Sequence, residues 1–327
     1  MIDLGFILGL LRLRLSMLGT LALIVGFSTL FFTVLLSGTG FFSLSTMIVF
    51  VVGFNVLQWL IAPYMIGALY RVKELPRSEQ PWLHEAVAAI CRRTGIQAPR
   101  VMLANLPLPN AFAYGSPLAG QRIAVTKGLL DTLEAEEVEA VLGHEIGHLK
   151  HRDVQIMMFA SVLPAIFYYL GTSLMWSSMW GGSRERNGSG GLLIGVAAMA
   201  IYWVLTLFVL GLSRLREYYA DQHGVQHVPD GARKLSEALA KISTASARRP
   251  RGQRTGPSAG SFRSLFISDP DHSAQDAVAL SRMSVRGDVE LVREIMSRKV
   301  SGAERFVELF STHPNIVKRL RALQGRQ

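Results

Sequence analysis

Cysteine is nearly absent from this sequence, and charge is absent from long stretches of it. Cys91 is the only cysteine among 327 residues, so no disulfide can form within the chain, which excludes a disulfide-stapled secreted domain and agrees with a reducing compartment. Residues 16–70 contain no Asp, Glu, Lys, Arg or His. That stretch is more than twice the roughly 20 residues that a membrane-spanning helix needs, and it excludes an ordinary soluble protein.

Four uncharged segments predict four transmembrane helices. The first long stretch divides at the turn-forming residues 37–40 into spans near 16–37 and 43–70. Two further uncharged segments cover 154–180 and 191–213. The buried core of a soluble protein can imitate one such segment, but four of this length predict an integral membrane protein embedded in a lipid bilayer.

Basic residues next to the span ends predict the orientation. They are Arg12, Arg14, Arg71, Lys73, Arg77, Lys150, Arg152, Arg214 and Arg216. By the positive-inside rule these ends are cytoplasmic, although Arg184 and Arg186 between the third and fourth spans weaken the bias. The chain has a net charge of +10. Much of this excess of basic residues lies beside the spans and in residues 247–254. Anionic lipid is therefore the expected partner, and nucleic acid is not.

The spans divide the chain into four predicted parts: an N-terminal transmembrane hairpin over 1–70, a first soluble part over 71–153, a second hairpin over 154–213, and a second soluble part over 214–327. A two-span hairpin returns the chain to the side that it left, so the two soluble parts can build one composite site. Within the last part, residues 244–263 are rich in Ser, Arg, Gly and Pro, which predicts a mobile loop.

The soluble parts show local patterns of helix and strand. The predicted elements are a helix over 82–93 and strands over 99–105, 111–114 and 122–126. Residues 131–134 resemble a capping box with Asp131 as N-cap, which opens the next helix, and this helix runs to Lys150. Residues 289–327 are predicted to be helical and amphipathic, with an interruption at 312–314.

The helix that ends near Lys150 contains a His-Glu-x-x-His motif formed by His144, Glu145 and His148. The two histidines are four positions apart, so on a helix their rings project from one face and can share a zinc ion. Glu145 is displaced by about 100° around the axis, a position that suits a base beside the metal better than a third ligand. The motif predicts metal-assisted hydrolysis of an amide bond, in which Glu145 takes a proton from the zinc-bound water.

A catalytic zinc usually has three protein ligands, so one is missing from this motif. Glu217 and Asp221 follow the fourth span and are four residues apart, close to where the chain re-emerges. We predict Glu217 as the third ligand and Asp221 as the acceptor that orients a ligand histidine. The alternative for Glu217 is an ordinary helix acid paired with Arg214 or Arg216.

Four segments together resemble the HtpX family of membrane zinc metalloproteases, which is related to the CAAX prenyl proteases and the mitochondrial Oma-type proteases. The segments are Asn110-Ala-Phe-Ala113, Val141 to His148, Ser213 to Asp221, and Thr312-His-Pro314 followed by Lys318-Arg319. The resemblance covers most of the chain. Two features depart from it: the loop 244–263, and Asn315 at a position where many members have a second proline.

The resemblance implies a mostly α membrane protein: four transmembrane helices with a gluzincin-like α+β zinc metalloprotease domain that the second helical hairpin splits. It implies one Zn²⁺ per chain, and His313 and Arg319 near the site as stabilisers of the oxyanion. Asn110, Ala111 and Phe112 would belong to an edge strand that aligns extended substrate. The implied substrates are misfolded or damaged membrane proteins, cleaved at the cytosolic side of a prokaryotic inner membrane.

Three other functions compete with membrane-protein quality control. A CAAX-type protease that processes prenylated substrates would share the site, although its relatives usually have more spans. An intramembrane protease would place the motif inside an apolar span, which the acid-rich segment 131–150 disfavours. A catalytically silent membrane chaperone or scaffold would not need the complete set of motif residues and Glu217.

Overall fold

The described part of the chain is mostly helical and contains one small sheet. The computed structural model describes residues 44–180, 188–247 and 287–325. The predicted first span and most of the predicted loop 244–263 lie outside these residues.

The described chain has ten helices and four strands. The helices are α1 (Leu44–Leu69), α2 (Pro81–Thr94), α3 (Lys127–Thr132), α4 (Ala135–Lys150), α5 (Asp153–Trp180), α6 (Gly188–His227), α7 (Gly231–Ala247), α8 (Asp288–Ser297), α9 (Gly302–Glu308) and α10 (Ile316–Leu323). The strands are β1 (Val72–Glu74), β2 (Arg100–Ala104), β3 (Ala111–Ser116) and β4 (Gly120–Thr126).

The chain forms two compact units. Among the described residues, the first unit holds 44–59 and 155–215, and the second holds 60–154 and 216–325. Within the described ranges, two helices are apolar and long enough to cross a membrane, Asp153–Thr172 and Gly190–His227, while α1 contributes a shorter apolar stretch, Trp59–Ala68. These apolar helices fit a membrane-associated protein.

The sheet belongs to the second unit and has the strand order β1-β2-β4-β3. β2 and β4 pair in parallel, and β3 pairs with β4 in antiparallel fashion, with Ala113 opposite Ile123. The three predicted strands are confirmed to within a few residues. β1 was not predicted, because three residues are too short for a periodic pattern to show. β3 is left at one edge of the sheet, beside α4.

Apolar side chains of the sheet and of the helices around it form the core of the second unit. Val141, Leu142 and Ile146 of α4 are fully buried there. The prediction that Asp131 opens this helix was wrong. Asp131 belongs to α3, and the N-cap is Glu134, which forms a capping box with Glu137. Asp131 and Glu134 both fit the pattern of an N-cap, and the chain turns between them. The local sequence therefore does not determine at which of the two α4 begins.

The C-terminal segment is helical, as predicted, but it forms three short helices. α8 ends at Ser297, and α9 begins after Ser301, whose Oγ caps the helix by accepting a hydrogen bond from the backbone N–H of Glu304. The break near 298–301 was not predicted. The interruption at 312–314 is confirmed and lies between α9 and α10. After it, α10 packs against α7 and α8 and places Arg319 against α6.

Candidate metal centre

Helix α4 places the three motif residues in one buried cluster. His144 and Glu145 are almost completely buried, and His148 is partly buried. The Nε2 atoms of His144 and His148 lie 3.2 Å apart, as the four-residue spacing predicts. Ligand atoms of all three residues lie within 4.8 Å of one another. The cluster can therefore hold a metal ion.

Glu217 of α6 lies beside the two Nε2 atoms, although it follows His148 by 69 residues in the chain. Its Oε1 lies 3.4 Å from His148 Nε2, and its Oε2 lies 3.7 Å from His144 Nε2. The structure thus brings together the three predicted ligands. The alternative pairing of Glu217 with Arg216 is not the contact observed, because Arg216 contacts Asp153 instead.

Each motif histidine has a carboxylate at its other ring nitrogen. His144 Nδ1 lies 2.9 Å from Asp221 Oδ1, which is the orienting contact predicted for Asp221. His148 Nδ1 lies 2.5 Å from Asp153 Oδ2. A proton shared with a carboxylate at Nδ1 leaves the lone pair on Nε2, so both rings present a metal-binding atom to the same point.

These distances fit a tetrahedral zinc ion. Two atoms bound to one such ion at about 2.0–2.1 Å lie roughly 3.3–3.4 Å apart. His144 Nε2 and His148 Nε2 lie 3.2 Å apart, Glu217 Oε1 lies 3.4 Å from His148 Nε2, and Glu217 Oε2 lies 3.7 Å from His144 Nε2. Two imidazoles and one carboxylate are also a donor set that zinc uses in hydrolases. The residues present therefore fit the ion that the motif predicts.

Glu145 lies beside the ligands and is held by the edge strand. Its Oε2 accepts a hydrogen bond of 2.9 Å from the backbone N–H of Ala113 in β3. Burial raises the pKa of Glu145, and this outweighs the opposing effect of His144 and His148. The hydrogen bond fixes the carboxylate against the middle of β3, next to the convergent Nε2 atoms, where a catalytic base is needed.

Arg319 and His313 approach the site from the C-terminal segment, as the resemblance implied. Arg319 is buried and donates to Asp221 through Nε at 2.9 Å and through Nη2 at 2.6 Å. Its Nη1 lies 3.2 Å from Glu217. His313 Nε2 lies 3.8 Å from Glu217. These contacts show Arg319 holding the two carboxylates of α6, and its role at an oxyanion stays a prediction, as does that of His313.

Asn110, Ala111 and Phe112 are buried at the start of β3. The backbone carbonyl of Asn110 accepts from Thr126 in β4, and Phe112 packs against the rings of Tyr70, which follows α1, and of Tyr114 in β3. Since these side chains face the interior, the predicted contact with substrate depends on the backbone of β3. β3 is an edge strand, so its outer side can pair with an extended peptide.

Small residues let α4 approach α6 closely enough to assemble the site. A Cβ added to Gly143 would lie 2.6 Å from Val228 Cγ2 and 3.3 Å from the Cα of Gly224. A Cβ added to Gly224 would lie 3.1 Å from the backbone N of His144. Any side chain at these positions would push the two helices apart. Glycine therefore sets the distance between the motif and Glu217.

The substitution Gly143→Ala is expected to lower the melting temperature. Overpacking costs about 1–3 kcal/mol, more than the roughly 0.8–1 kcal/mol that replacing a helical glycine by alanine gains. Gly67→Ala is the matched control, because a Cβ there would meet nothing within 4 Å. Thermal unfolding of both variants in detergent checks this. An unchanged or higher melting temperature for Gly143→Ala would show that the contact is not tight.

Two residues near the centre were missed by the sequence analysis. His223, like His151, His227 and His272, lies outside the His-Glu-x-x-His motif, so the sequence did not mark it as a site residue. The structure buries His223 against Gly143 and Gly147 of α4. Gly143 and Gly147 are four residues apart on the motif helix, and this spacing of small residues was the sequence signal that another segment packs closely there. Asp153 was missed as the partner of His148. It is the last charge before the third predicted span. His272 lies outside the described residues.

The chain is similar in sequence to known proteins. Residues 77–327 match the model of peptidase family M48. The chain is 37% identical to a protease HtpX homolog of Thermoplasma acidophilum over 324 residues, which are 96% of this chain and 97% of that protein. It is 39% identical to a protease HtpX homolog of Aeropyrum pernix, covering 88% of this chain and 87% of that one.

The fold also resembles a solved structure. The crystal structure of Ste24p from S. mikatae superposes with a TM-score of 0.54 at 17% identity, covering 97% of this chain and 67% of that one. At this identity the likeness concerns the fold. The family match and the curated relatives carry the assignment: this chain belongs to peptidase family M48 and, within it, to the membrane-associated HtpX-type metalloproteases.

Proposed function

We propose that this protein is a membrane-anchored zinc endopeptidase that cleaves misfolded or damaged membrane proteins at the cytosolic face. The observation that carries the proposal is the convergence of His144 Nε2, His148 Nε2 and the Glu217 carboxylate within 3.7 Å of one another. Glu145 lies beside them as the base. Three ligands plus one open position are the arrangement of a catalytic rather than a structural zinc.

Each residue has a distinct task in the proposed reaction. His144, His148 and Glu217 would hold one zinc ion, with Asp221 and Arg319 fixing their orientation. When bound, zinc supplies Lewis acidity, polarising the scissile carbonyl and lowering the pKa of water to about 7. Glu145 accepts a proton at its carboxylate as water attacks and delivers it to the leaving nitrogen.

Substrate binding would use the edge of the sheet. Ala113 donates its N–H to Glu145, so an extended peptide paired with the outer edge of β3 would run past the base. Backbone pairing of this kind depends little on the side chains of the bound peptide. It suits an enzyme whose substrates share an unfolded state rather than a consensus.

The membrane anchor follows from the apolar segments. Two described helices are long and apolar enough to cross a bilayer. The four-span topology, with the metalloprotease domain divided into 71–153 and 214–327, rests on the uncharged segments and on the flanking basic residues. This topology would put both halves of the domain in the cytoplasm of a prokaryotic cell. Anionic lipid would then contact the basic flanks.

Removal of the metal tests the proposed function. Purified protein in detergent is expected to cleave an unfolded model protein, to lose cleavage after dialysis against a chelator, and to regain it when stoichiometric zinc is added. Zinc content is measured at each stage. One zinc per chain that disappears and returns together with cleavage supports the proposal. Full zinc content without cleavage would indicate the chaperone or scaffold function, and cleavage that survives complete zinc removal would contradict the mechanism.

A further inference from the structure

The two zinc-binding histidines have matching contacts on their outer sides. His144 Nδ1 contacts Asp221, which Arg319 holds. His148 Nδ1 contacts Asp153, and Arg216 Nη2 contacts the other oxygen of Asp153. Arg216 is about 2% exposed. Each ring is thus followed by a carboxylate and then by a buried guanidinium.

The backbone is shaped to bring Asp153 to His148. α4 ends at Lys150, and Arg152 has a φ of 55°, in the left-handed region that non-glycine residues rarely adopt. This turn separates α4 from α5, so Asp153 begins α5 only five residues after His148 and lies against its Nδ1. A strained residue is retained where the surrounding contacts require it.

Arg216 connects the same carboxylate to the third ligand. It directly precedes Glu217 in α6. The second compact unit ends at Val154 and resumes at Arg216, so the pair joins the two points where the chain leaves and re-enters that unit. Asp153 and Arg216 lie outside the motif, and the proposed reaction gives neither residue a proton to transfer or a bond to the metal.

We propose that Asp153 and Arg216 are positioning residues that fix the ring of His148 and tie it to Glu217. The inference rests on the proposed zinc site. Asp153 keeps the proton of His148 on Nδ1 and the ring in the metal-binding orientation, and Arg216 keeps Asp153 in place. Neither residue touches the substrate or the reacting atoms.

The test is zinc affinity, measured by competition with a chromophoric chelator in detergent. Asp153→Ala is expected to weaken zinc binding by about 10–100-fold, the usual effect of removing a partner of a ligand histidine. Arg216→Met should weaken it less, since Asp153 remains. The visible spectrum of the cobalt-substituted protein should change in Asp153→Ala, because the geometry at His148 changes. Arg233→Ala, which removes an exposed arginine from ion pairs with Glu136, Asp230 and Glu237 away from the metal site, is the control and should alter neither.

A double variant separates positioning from folding. Asp153→Ala alone leaves the buried Arg216 without this carboxylate, which destabilises the fold. In Asp153→Ala with Arg216→Met the unpaired charge is gone, so the melting temperature of the zinc-free protein should recover while zinc affinity stays low. Recovery of both would overturn the proposal, because the pair would then be merely structural. Wild-type affinity in Asp153→Ala would also overturn it. Failure of the wild type to bind zinc would instead refute the proposed function.

Discussion

The variant Glu145→Gln is expected to keep its zinc and to lose proteolysis by a factor of about 10²–10⁴, the usual contribution of a general base. Glutamine has nearly the same shape, and its side-chain oxygen can still accept the hydrogen bond from Ala113 N–H. It cannot take a proton from water. The three ligands are unchanged, so metal binding and base catalysis are separated in one variant.

Cleavage of an unfolded model protein by wild type and Glu145→Gln, with zinc determined on both samples, measures this effect. Glu294→Gln, an exposed acid on α8, is the matched control and should behave as the wild type. Retained proteolysis in Glu145→Gln would contradict the role of Glu145 as base. Loss of zinc along with activity would show that Glu145 supports the metal site itself.

The variant Glu217→Ala is expected to lose zinc, because it removes one of three bonds to the ion. The loss should exceed the roughly 10–100-fold that follows removal of a residue which merely orients a ligand. The fold should survive, since Arg319 keeps both of its hydrogen bonds to Asp221. Proteolysis should fall with zinc content and recover partly at high zinc concentration.

Zinc content after dialysis and the melting temperature of the zinc-free protein separate these effects. Glu294→Ala serves as control for loss of an acid from a helix. Full zinc occupancy in Glu217→Ala would place the third ligand elsewhere. An unfolded protein would instead indicate that Glu217 is needed to balance the charge of the buried Arg319.

Local sequence patterns predicted several features of the structure. The four-residue spacing of His144 and His148 implies a shared face on any helix, and the structure places their Nε2 atoms 3.2 Å apart. Strands β2 to β4 and helix α2 follow from periodicity and flanking turn residues. The first residue of α4 could not be predicted in this way. Asp131 and Glu134 both suit an N-cap, and the choice between them depends on how α3 packs.

Contacts between residues far apart in the chain were harder to predict from the sequence. Glu217 was predicted from its position after the fourth span, and Arg319 only through a family resemblance. Nothing in the spacing of Asp153, Arg216 and His148 shows that they meet, since the contact needs the left-handed turn at Arg152 and the return of α6. The burial of His223 likewise depends on the close approach of α6 to the glycines of α4.

Three features of this protein were predictable from the order of its residues: the two histidines and the acid of the motif, the apolar segments, and the membership in a protease family. These properties depend on residue type and on spacing within one helix, which are local. The tertiary structure alone decided how the site is completed and held, with Asp153 and Arg216 at one histidine and Asp221 and Arg319 at the other. Buried charges need partners, and which partners they find depends on how helices far apart in the chain pack together.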